Sequence, residues 1–287
     1  MNNTKLILIE GLPGSGKSTT AQLTNEILNE MNIDTELFLE GNFEHPADYQ
    51  AVSYFTASEF TDLIAHYKEF ESLIISCTIK RKDDYLLLRN KLREKKLPDE
   101  FLSKIRKNDI YELPLELHIE LITEKWEQFR DDALNGNKIF IFDCSFIQNP
   151  VTIGMIKYGA SNVVVINFIM RLAEIIESLN PILIYVDQAD IERSFKLAIE
   201  TRPGEWFNGF MDYYNNQAFG KKLHAKGIEG TLAILKARNQ LESQIFEGLE
   251  MSKIKIDNSK FEKEKYKTRL IEILQDAFFS VENPRTK

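Results

Sequence analysis

The sequence predicts an α/β protein with a doubly wound, five-stranded parallel sheet. Three observations lead to this fold class. Five short apolar runs are continuous rather than alternating, as in strands that are buried on both faces. Helical patterns separate these runs. A glycine-rich loop joins the first run to the first helical pattern. Strands that alternate with helices indicate parallel strands joined by helical crossovers.

The five apolar runs place the predicted strands along the chain. They are KLILI (5–9), TELFLE (Thr35–Glu40), KIFIFD (Lys138–Asp143), PILIYVD (Pro181–Asp187) and SKIKID (Ser252–Asp257). Apolar residues at helical spacing predict a helix over Asn162–Leu179, buried in its first half, and a last helix over Phe261–Phe279. The elements therefore alternate along most of the chain.

Composition argues against several classes of function. The net charge of −8 and the isoelectric point near 5.3 are unfavourable for a nucleic-acid-binding surface. The longest apolar run, Val163–Met170, is too short to span a bilayer, and the N-terminal run is too short for a secretory signal. Cys77 and Cys144 both lie in apolar runs, which favours a reducing compartment over a disulfide framework. We therefore expect a cytoplasmic protein without nucleic-acid or membrane partners.

The loop after the first predicted strand matches a phosphate-binding pattern. Gly11, Gly16, Lys17 and Ser18 fit the P-loop (Walker A) pattern G-x-x-x-x-G-K-[ST], between a predicted strand and a predicted helix. Its backbone amides would surround phosphate oxygens, Lys17 would reach the β- and γ-phosphates, and the Ser18 hydroxyl would bind Mg²⁺. The predicted nucleotide-binding residues are Gly11, Pro13, Gly14, Ser15, Gly16, Lys17, Ser18 and Thr19.

The third strand indicates which kind of P-loop protein this is. A GTPase would carry an N-K-x-D motif, and NKIFIFD lacks it. Motor and AAA-type ATPases usually have two adjacent acids after this strand, whereas Asp143 is a single acid followed by CSF. A single Asp in this place suits small-molecule and nucleotide kinases.

The segment LIEGLPGSGKSTTAQ, with its Glu10-Gly11 step into the loop, resembles the thymidylate kinase-like branch of P-loop kinases. PILIYVD followed by an Arg-bearing segment, and IKIDNS before the last helix, are similar to that group too. The resemblance covers the nucleotide-binding core, about half of the chain. It implies a five-stranded parallel sheet and Mg·ATP as the phosphoryl donor.

Two departures from that family concern the acceptor. LEGNFEHPADY stands where thymidylate kinases have an Arg-Glu-Pro element, and Asp143-Cys144 stands where they have Asp-Arg. The arginines that would hold an acceptor monophosphate are thus missing from their expected positions. Either another arginine replaces them or the acceptor is not a nucleoside monophosphate.

Four residues near strands two and three are candidates for the acceptor and metal sites. Asp143 would hold Mg²⁺ through water or take a proton from an attacking hydroxyl, and a helix cap is the structural alternative. Glu40 would orient an acceptor hydroxyl, or is an ordinary surface acid. His45 and Tyr49 would recognise a ring or a sugar, or belong to a proline-initiated turn.

Three further candidates follow strands four and five. Arg193 and Arg202 would place positive charge on the transferring phosphoryl group as part of a lid, and Arg202 is the better placed because it lies in a turn. Surface charge on a helix is the alternative. Asp257 would lie near the base of the nucleotide. The aromatic stripe from Trp206 to Tyr214 suits packing better than a substrate cage.

We therefore expect a single domain, 1–287, with an acceptor-binding insertion at 42–137 and a lid at 188–251. The first insertion contains helical patterns and a predicted hairpin over 72–89. The expected function is transfer of the γ-phosphate of ATP to a hydroxyl or phosphate of a small molecule, with nucleosides and nucleotides among the candidates. The alternatives are a nucleotide-dependent switch that acts through a protein partner and an idle nucleotide-binding module. A homodimer is one candidate assembly.

Overall fold

The computed structural model describes residues 4–201, 204–260 and 262–279. Its strands are β1 Leu6–Glu10, β2 Thr35–Phe38, β3 Val52–Phe55, β4 Thr78–Arg81, β5 Asp84–Leu88, β6 Ile139–Asp143, β7 Ile182–Asp187 and β8 Ser252–Asp257. Its α-helices are α1 Lys17–Glu30, α2 Ala57–His66, α3 Glu71–Ser76, α4 Asp99–Lys107, α5 Leu115–Asn135, α6 Gln148–Val151, α7 Asn162–Ile176, α8 Ile191–Thr201, α9 Gly204–Asn216, α10 Ala218–Lys222, α11 Gly227–Gly248 and α12 Lys263–Phe279.

The chain divides into two compact units. The described residues of 1–40 and 126–287 form the first unit, and Gly41–Lys125 form the second. The second unit covers most of the predicted insertion at 42–137, and the division falls inside α5. Within the described residues, no helix is long and apolar enough to cross a membrane.

The first unit is built on the predicted sheet. Five parallel strands run in the order β2-β6-β1-β7-β8, which confirms the prediction of a five-stranded parallel sheet. The central strand β1 pairs with β6 so that Ile9 lies opposite Asp143. Because parallel strands end at the same edge, the loop after β1 begins beside the end of β6.

Helices cover both faces of this sheet. On one face, side chains of α1 and α12 such as Ile27 and Leu270 pack with Ile7 and Ile9 of β1 in one buried cluster. On the other face, the ring of Trp126 meets that of Phe142 with 5.8 Å between centroids. Both helix layers bury apolar side chains of the central strands, and this burial stabilises the unit.

Two kinds of sequence expectation were wrong in this unit. β2 and β8 were expected to be buried on both faces, but they are the edge strands of the sheet, and their buried residues are Phe38 and Ile256. The first half of α7 was expected to be buried all round, but Val163 and Val164 are exposed. This helix packs through one face, which includes Val165 and Phe168, so its apolar first turn extends beyond the packed face. Of the predicted last helix, Phe261 lies outside the described residues.

The second unit has its own sheet and core. Its antiparallel strands run in the order β3-β5-β4. The predicted hairpin is present from Thr78 onward, but residues 71–76 form α3 instead of a strand. Leu73, Ile74 and Cys77 have a spacing that also suits a helix, and all three pack in the core of this unit. The sequence analysis did not predict β3.

Candidate functional site

The loop between β1 and α1 has the backbone that its glycines allow. Gly11, Gly14 and Gly16 all have positive φ, at 146°, 89° and 99°. A Cβ on Gly11 would lie 2.4 Å from the carbonyl oxygen of Val186, so the loop passes too close to β7 for any larger residue. The helix α1 begins directly after Gly16. Its first amides have no partner within the helix, and they carry the positive end of the helix dipole.

Two amide side chains hold this loop from the neighbouring strands. Gln188, after β7, and Asn258, after β8, both donate to the carbonyl oxygen of Ser15, at 3.1 and 2.8 Å. The hydroxyl of Ser15 is buried and has no hydrogen-bond partner among the described residues. The two amide bonds tie the loop to the segments that follow β7 and β8.

Ser18 and Asp143, the two residues predicted to hold Mg²⁺, lie in contact. Ser18 Oγ donates to Asp143 Oδ2 at 2.6 Å. Lys17, at the first position of α1, is buried, and its Nζ donates to the carbonyl oxygen of Leu12 at 2.8 Å. One hydroxyl and one carboxylate are an oxygen donor pair of the kind that Mg²⁺ takes together with phosphates and water. The residues therefore fit Mg²⁺ at Ser18 and Asp143.

Cys144 links Asp143 to Glu40. Its backbone has φ of 73°, an uncommon conformation for a residue other than glycine, which marks this turn as constrained. Its thiol lies 2.8 Å from Asp143 Oδ1 and 3.6 Å from Glu40 Oε2. Burial, together with these carboxylates, raises the pKa of the Cys144 thiol well above its usual range. The thiol therefore stays protonated, and its one hydrogen can be donated to either acid.

Glu10 holds the segment that follows β6. Its carboxylate is fully buried and accepts from the backbone amides of Phe146, at 2.7 Å, and Gln148, at 2.8 Å. Burial raises the pKa of Glu10 to about 7, although these amides and Lys17 favour the charged form. The Glu10-Gly11 step thus connects the glycine-rich loop to the start of α6.

A cavity of about 310 Å³ in the first unit borders these groups. Its lining comprises Pro13, Gly14, Gly16, Lys17, Ser18, Thr19, Glu40, Gln148, Thr152, Trp206, Phe210, Tyr213 and Tyr214. On α9, the ring of Phe210 stacks on Trp206 with centroids 5.2 Å apart and on Tyr214 at 4.3 Å. The sequence analysis assigned this aromatic stripe to packing rather than to ligand binding. Its rings do pack on one another, and they also form one wall of the cavity.

A buried arginine holds three of the residues that line the cavity. Arg238 of α11 is fully buried and donates to Tyr214 Oη at 2.6 Å, to Thr152 Oγ1 at 2.9 Å and to the carbonyl oxygen of Gln148 at 3.0 Å. Its charge is paired with Glu242 at 2.6 Å. Three residues that line the cavity are therefore held by one guanidinium group.

Most predicted site residues of the first unit lie together. Gly11 and Ser15 are in the loop, Asp143 bonds to Ser18, and the other loop residues and Glu40 border the cavity. Arg193 does not join them: its side chain is exposed on α8. Asp257 is exposed at the end of β8, where bonds from Ser259 hold its pKa below the usual range. Arg202 lies outside the described residues.

His45 and Tyr49 belong to the second unit. Both are buried there, and His45 Nδ1 accepts from the backbone amide of Ala47 at 3.1 Å. Burial raises the pKa of Tyr49 to about 12. Their role in acceptor binding stays a prediction.

Sequence analysis missed Gln148, Thr152 and Arg238. Gln148 and Thr152 follow the end of β6, so their position after a strand was the available signal. Thr152 also begins a π-helical segment, Thr152–Lys157, a rare geometry that is frequent at functional sites. Arg238 and Glu242 occupy positions on the apolar face of α11, where two opposite charges four residues apart could have indicated a buried pair.

No protein-family model matches this chain, and the curated proteins contain no significant match to it.

Proposed function

We propose that this protein is a P-loop kinase that transfers the γ-phosphate of Mg·ATP to a small-molecule acceptor. The observation that carries the proposal is the 2.6 Å contact of Asp143 with Ser18, which lines the cavity together with buried Lys17. Sheet order supports it too, since β1 and β6 are neighbours and bring the glycine-rich loop next to Asp143.

Each residue has a specific part in this proposal. The amides of the loop and Lys17 bind and orient the phosphates, and Ser18 with Asp143 holds the metal ion. Glu40 borders the same cavity and accepts the proton of the acceptor hydroxyl. The acceptor oxygen bonds to the γ-phosphorus while the bond from phosphorus to the bridging oxygen breaks, and its electron pair leaves with ADP. Rate enhancement then comes mainly from positioning and electrostatic stabilisation.

The test is ADP release from Mg·ATP against a panel of nucleosides, nucleoside monophosphates, sugars and aminoglycoside-like compounds. The proposal expects a rate that depends on one acceptor class and that is lost in Lys17→Ala. Lys222→Ala, which removes an exposed lysine of α10, is the matched control. ATP binding without transfer to any acceptor would reject the kinase and favour a nucleotide-dependent switch.

A further inference from the structure

We propose that the acceptor is an uncharged hydroxyl compound built on a planar ring, of the nucleoside class, and that Gln148 selects it. This inference deepens the proposed function and rests on it. Three features of the cavity support it: the amide of Gln148, the charges of the lining residues and the aromatic wall.

The amide of Gln148 has an unused acceptor. Its Nε2 donates to Glu40 Oε1 at 3.1 Å. Since a carboxylate can only accept, the NH₂ group must face Glu40 and the carbonyl must face away from it. Gln148 Oε1 is buried and has no hydrogen-bond partner among the described residues. An unpaired buried acceptor is unfavourable, so a ligand in the cavity is favoured when the Gln148 amide can turn toward its N–H or O–H donor.

The backbone of Gln148 is fixed from two directions. Its amide donates to the carboxylate of Glu10, and its carbonyl oxygen accepts from Arg238 at 3.0 Å. Both partners are fully buried. The side chain therefore starts from a rigid backbone and is 6% exposed, which is how preorganised recognition groups are held.

The charges around the cavity favour a neutral acceptor. Among the described lining residues, Lys17 is the one cation, and it is needed for the transferring phosphate. An acceptor monophosphate would add about two negative charges beside Glu40 and would need arginine partners. Arg238 is fully buried and already paired with Glu242. A hydroxyl compound without a phosphate avoids this repulsion.

The aromatic wall favours a planar ring over an alkylammonium or a simple sugar. Trp206, Phe210 and Tyr214 lie on successive turns of α9, with interplanar angles of 20° and 26° between neighbours. Phe210 is stacked between the other two rings, so both of its faces are covered. Sites that bind quaternary ammonium groups instead surround the cation with exposed aromatic faces. An aromatic wall in a cavity that also contains the polar groups of Gln148 and Glu40 suits a heterocycle that carries hydroxyls.

The experiment compares matched acceptors and matched variants. Each nucleoside is paired with its 5′-monophosphate, so that ring and sugar are equal and the charge differs. Initial rates of ADP formation are measured for the wild type, Gln148→Met, Gln148→Asn and Gln275→Met, the last on an exposed position of α12. We expect turnover of nucleosides and not of monophosphates. Gln148→Met should lower kcat/KM for the nucleoside about 10–100-fold.

Further readouts separate recognition from damage to the fold. KM for ATP should stay within about twofold of the wild type in both Gln148 variants, because the amide does not belong to the phosphate loop. Gln275→Met should match the wild type in every constant. Gln148→Asn retains an amide with shorter reach, so it should fold if Gln148→Met does not and should still lose acceptor affinity. Melting curves show which variants are folded.

Two results would overturn the inference while leaving the kinase intact. One is preferred turnover of the monophosphates. The other is an unchanged kcat/KM for the nucleoside in a folded Gln148 variant. Lys17-dependent ATP binding with no transfer to any acceptor would instead reject the proposed function itself, and the inference with it.

Discussion

The backbone amide of Gln148 donates a 2.8 Å hydrogen bond to the buried carboxylate of Glu10, a residue 138 positions earlier in the chain. This bond connects the end of β1, from which the glycine-rich loop starts, to the segment that carries the cavity-lining amide. A displacement of Glu10 would therefore move the backbone of Gln148, and the reverse also holds.

Glu10 should make stability depend on pH. Its pKa is raised by burial to about 7 in the folded protein, from an ordinary value of 4.5. Between these two values the folded state keeps a proton that the unfolded state releases, so the free energy of unfolding falls as pH rises, by up to about 1.4 kcal/mol per pH unit. The contribution is fully present below the ordinary value and is lost as pH rises through 7.

Urea unfolding of the wild type and Glu10→Gln between about pH 5 and pH 8 measures this effect. The stability advantage of the wild type over Glu10→Gln should shrink as pH rises. Glu26→Gln, on an exposed position of α1, should follow the wild type at every pH. An advantage that stays constant across the range would contradict the prediction.

Lys17→Ala should abolish most phosphoryl transfer. Lys17 is the one cation among the described residues that line the cavity, so its removal leaves transition-state charge without a partner. Loss of a single group that stabilises such charge typically lowers the rate about 10²–10³-fold. Single-turnover rates with saturating acceptor measure it, and Lys222→Ala should keep the wild-type rate. A rate within about twofold of the wild type in Lys17→Ala would rule out the loop as the phosphate site.

Asp143→Asn should weaken the binding of the Mg²⁺ ion that the reaction needs. The carboxylate contacts Ser18 at 2.6 Å, and an amide there offers one neutral oxygen instead of a charged pair. We expect the Mg²⁺ concentration for half-maximal rate to rise about 10–100-fold. Ser18→Ala should also weaken Mg²⁺ binding. The loss of Mg²⁺ binding free energy in the double variant should be smaller than the sum of the two single losses, because both residues bind the same ion.

Asp276→Asn, which changes an exposed acid on α12, is the control for this series. Strictly additive losses in Ser18→Ala and Asp143→Asn would mean that the two residues do not act on one ion.

Arg238→Met should be strongly destabilising. It leaves Glu242, which is also fully buried, without its ion-pair partner, and breaking a buried pair in this way costs about 3–5 kcal/mol. Adding Glu242→Gln should recover part of the loss, because a neutral amide can still accept from Tyr185. Urea unfolding measures both variants.

Arg269→Met removes an exposed ion pair on α12 and should change stability by less than about 1 kcal/mol. If Arg238→Met cost no more than this control, the buried network would not be needed for stability.

Gly16→Ala should distort the loop. Gly16 has φ of 99°, and a Cβ there would lie 2.5 Å from Asn258 Nδ2, which donates to the carbonyl oxygen of Ser15. We expect a loss of about 1–3 kcal/mol and weaker nucleotide binding. Gly209→Ala is the matched control, since a Cβ on this residue of α9 meets nothing within 4 Å. Calorimetric titration with Mg·ATP, together with thermal melting, measures both effects, and wild-type affinity in Gly16→Ala would contradict the prediction.

The parallel sheet was predictable because its central strands are continuous apolar runs. β1 and most of β7 are fully buried, so nothing in their sequences alternates. The second unit was harder to predict. β3 has four residues and one partner strand in the sheet, and α3, which precedes β4, carries an apolar pattern that suits either a strand or a helix.

The amino-acid sequence alone was enough to predict the glycine-rich loop and the roles proposed for Lys17 and Ser18, because these residues are contiguous and their geometry follows from local backbone preferences. Asp143 could also be assigned to the same predicted Mg²⁺ site as Ser18, because Ser18 follows β1 and Asp143 ends β6, two strands of one parallel sheet. The support of Gln148 depends on three-dimensional packing, since its partners Glu10 and Arg238 are 138 and 90 positions away. Burial and pairing of this kind arise from packing between distant segments, and no local pattern encodes them.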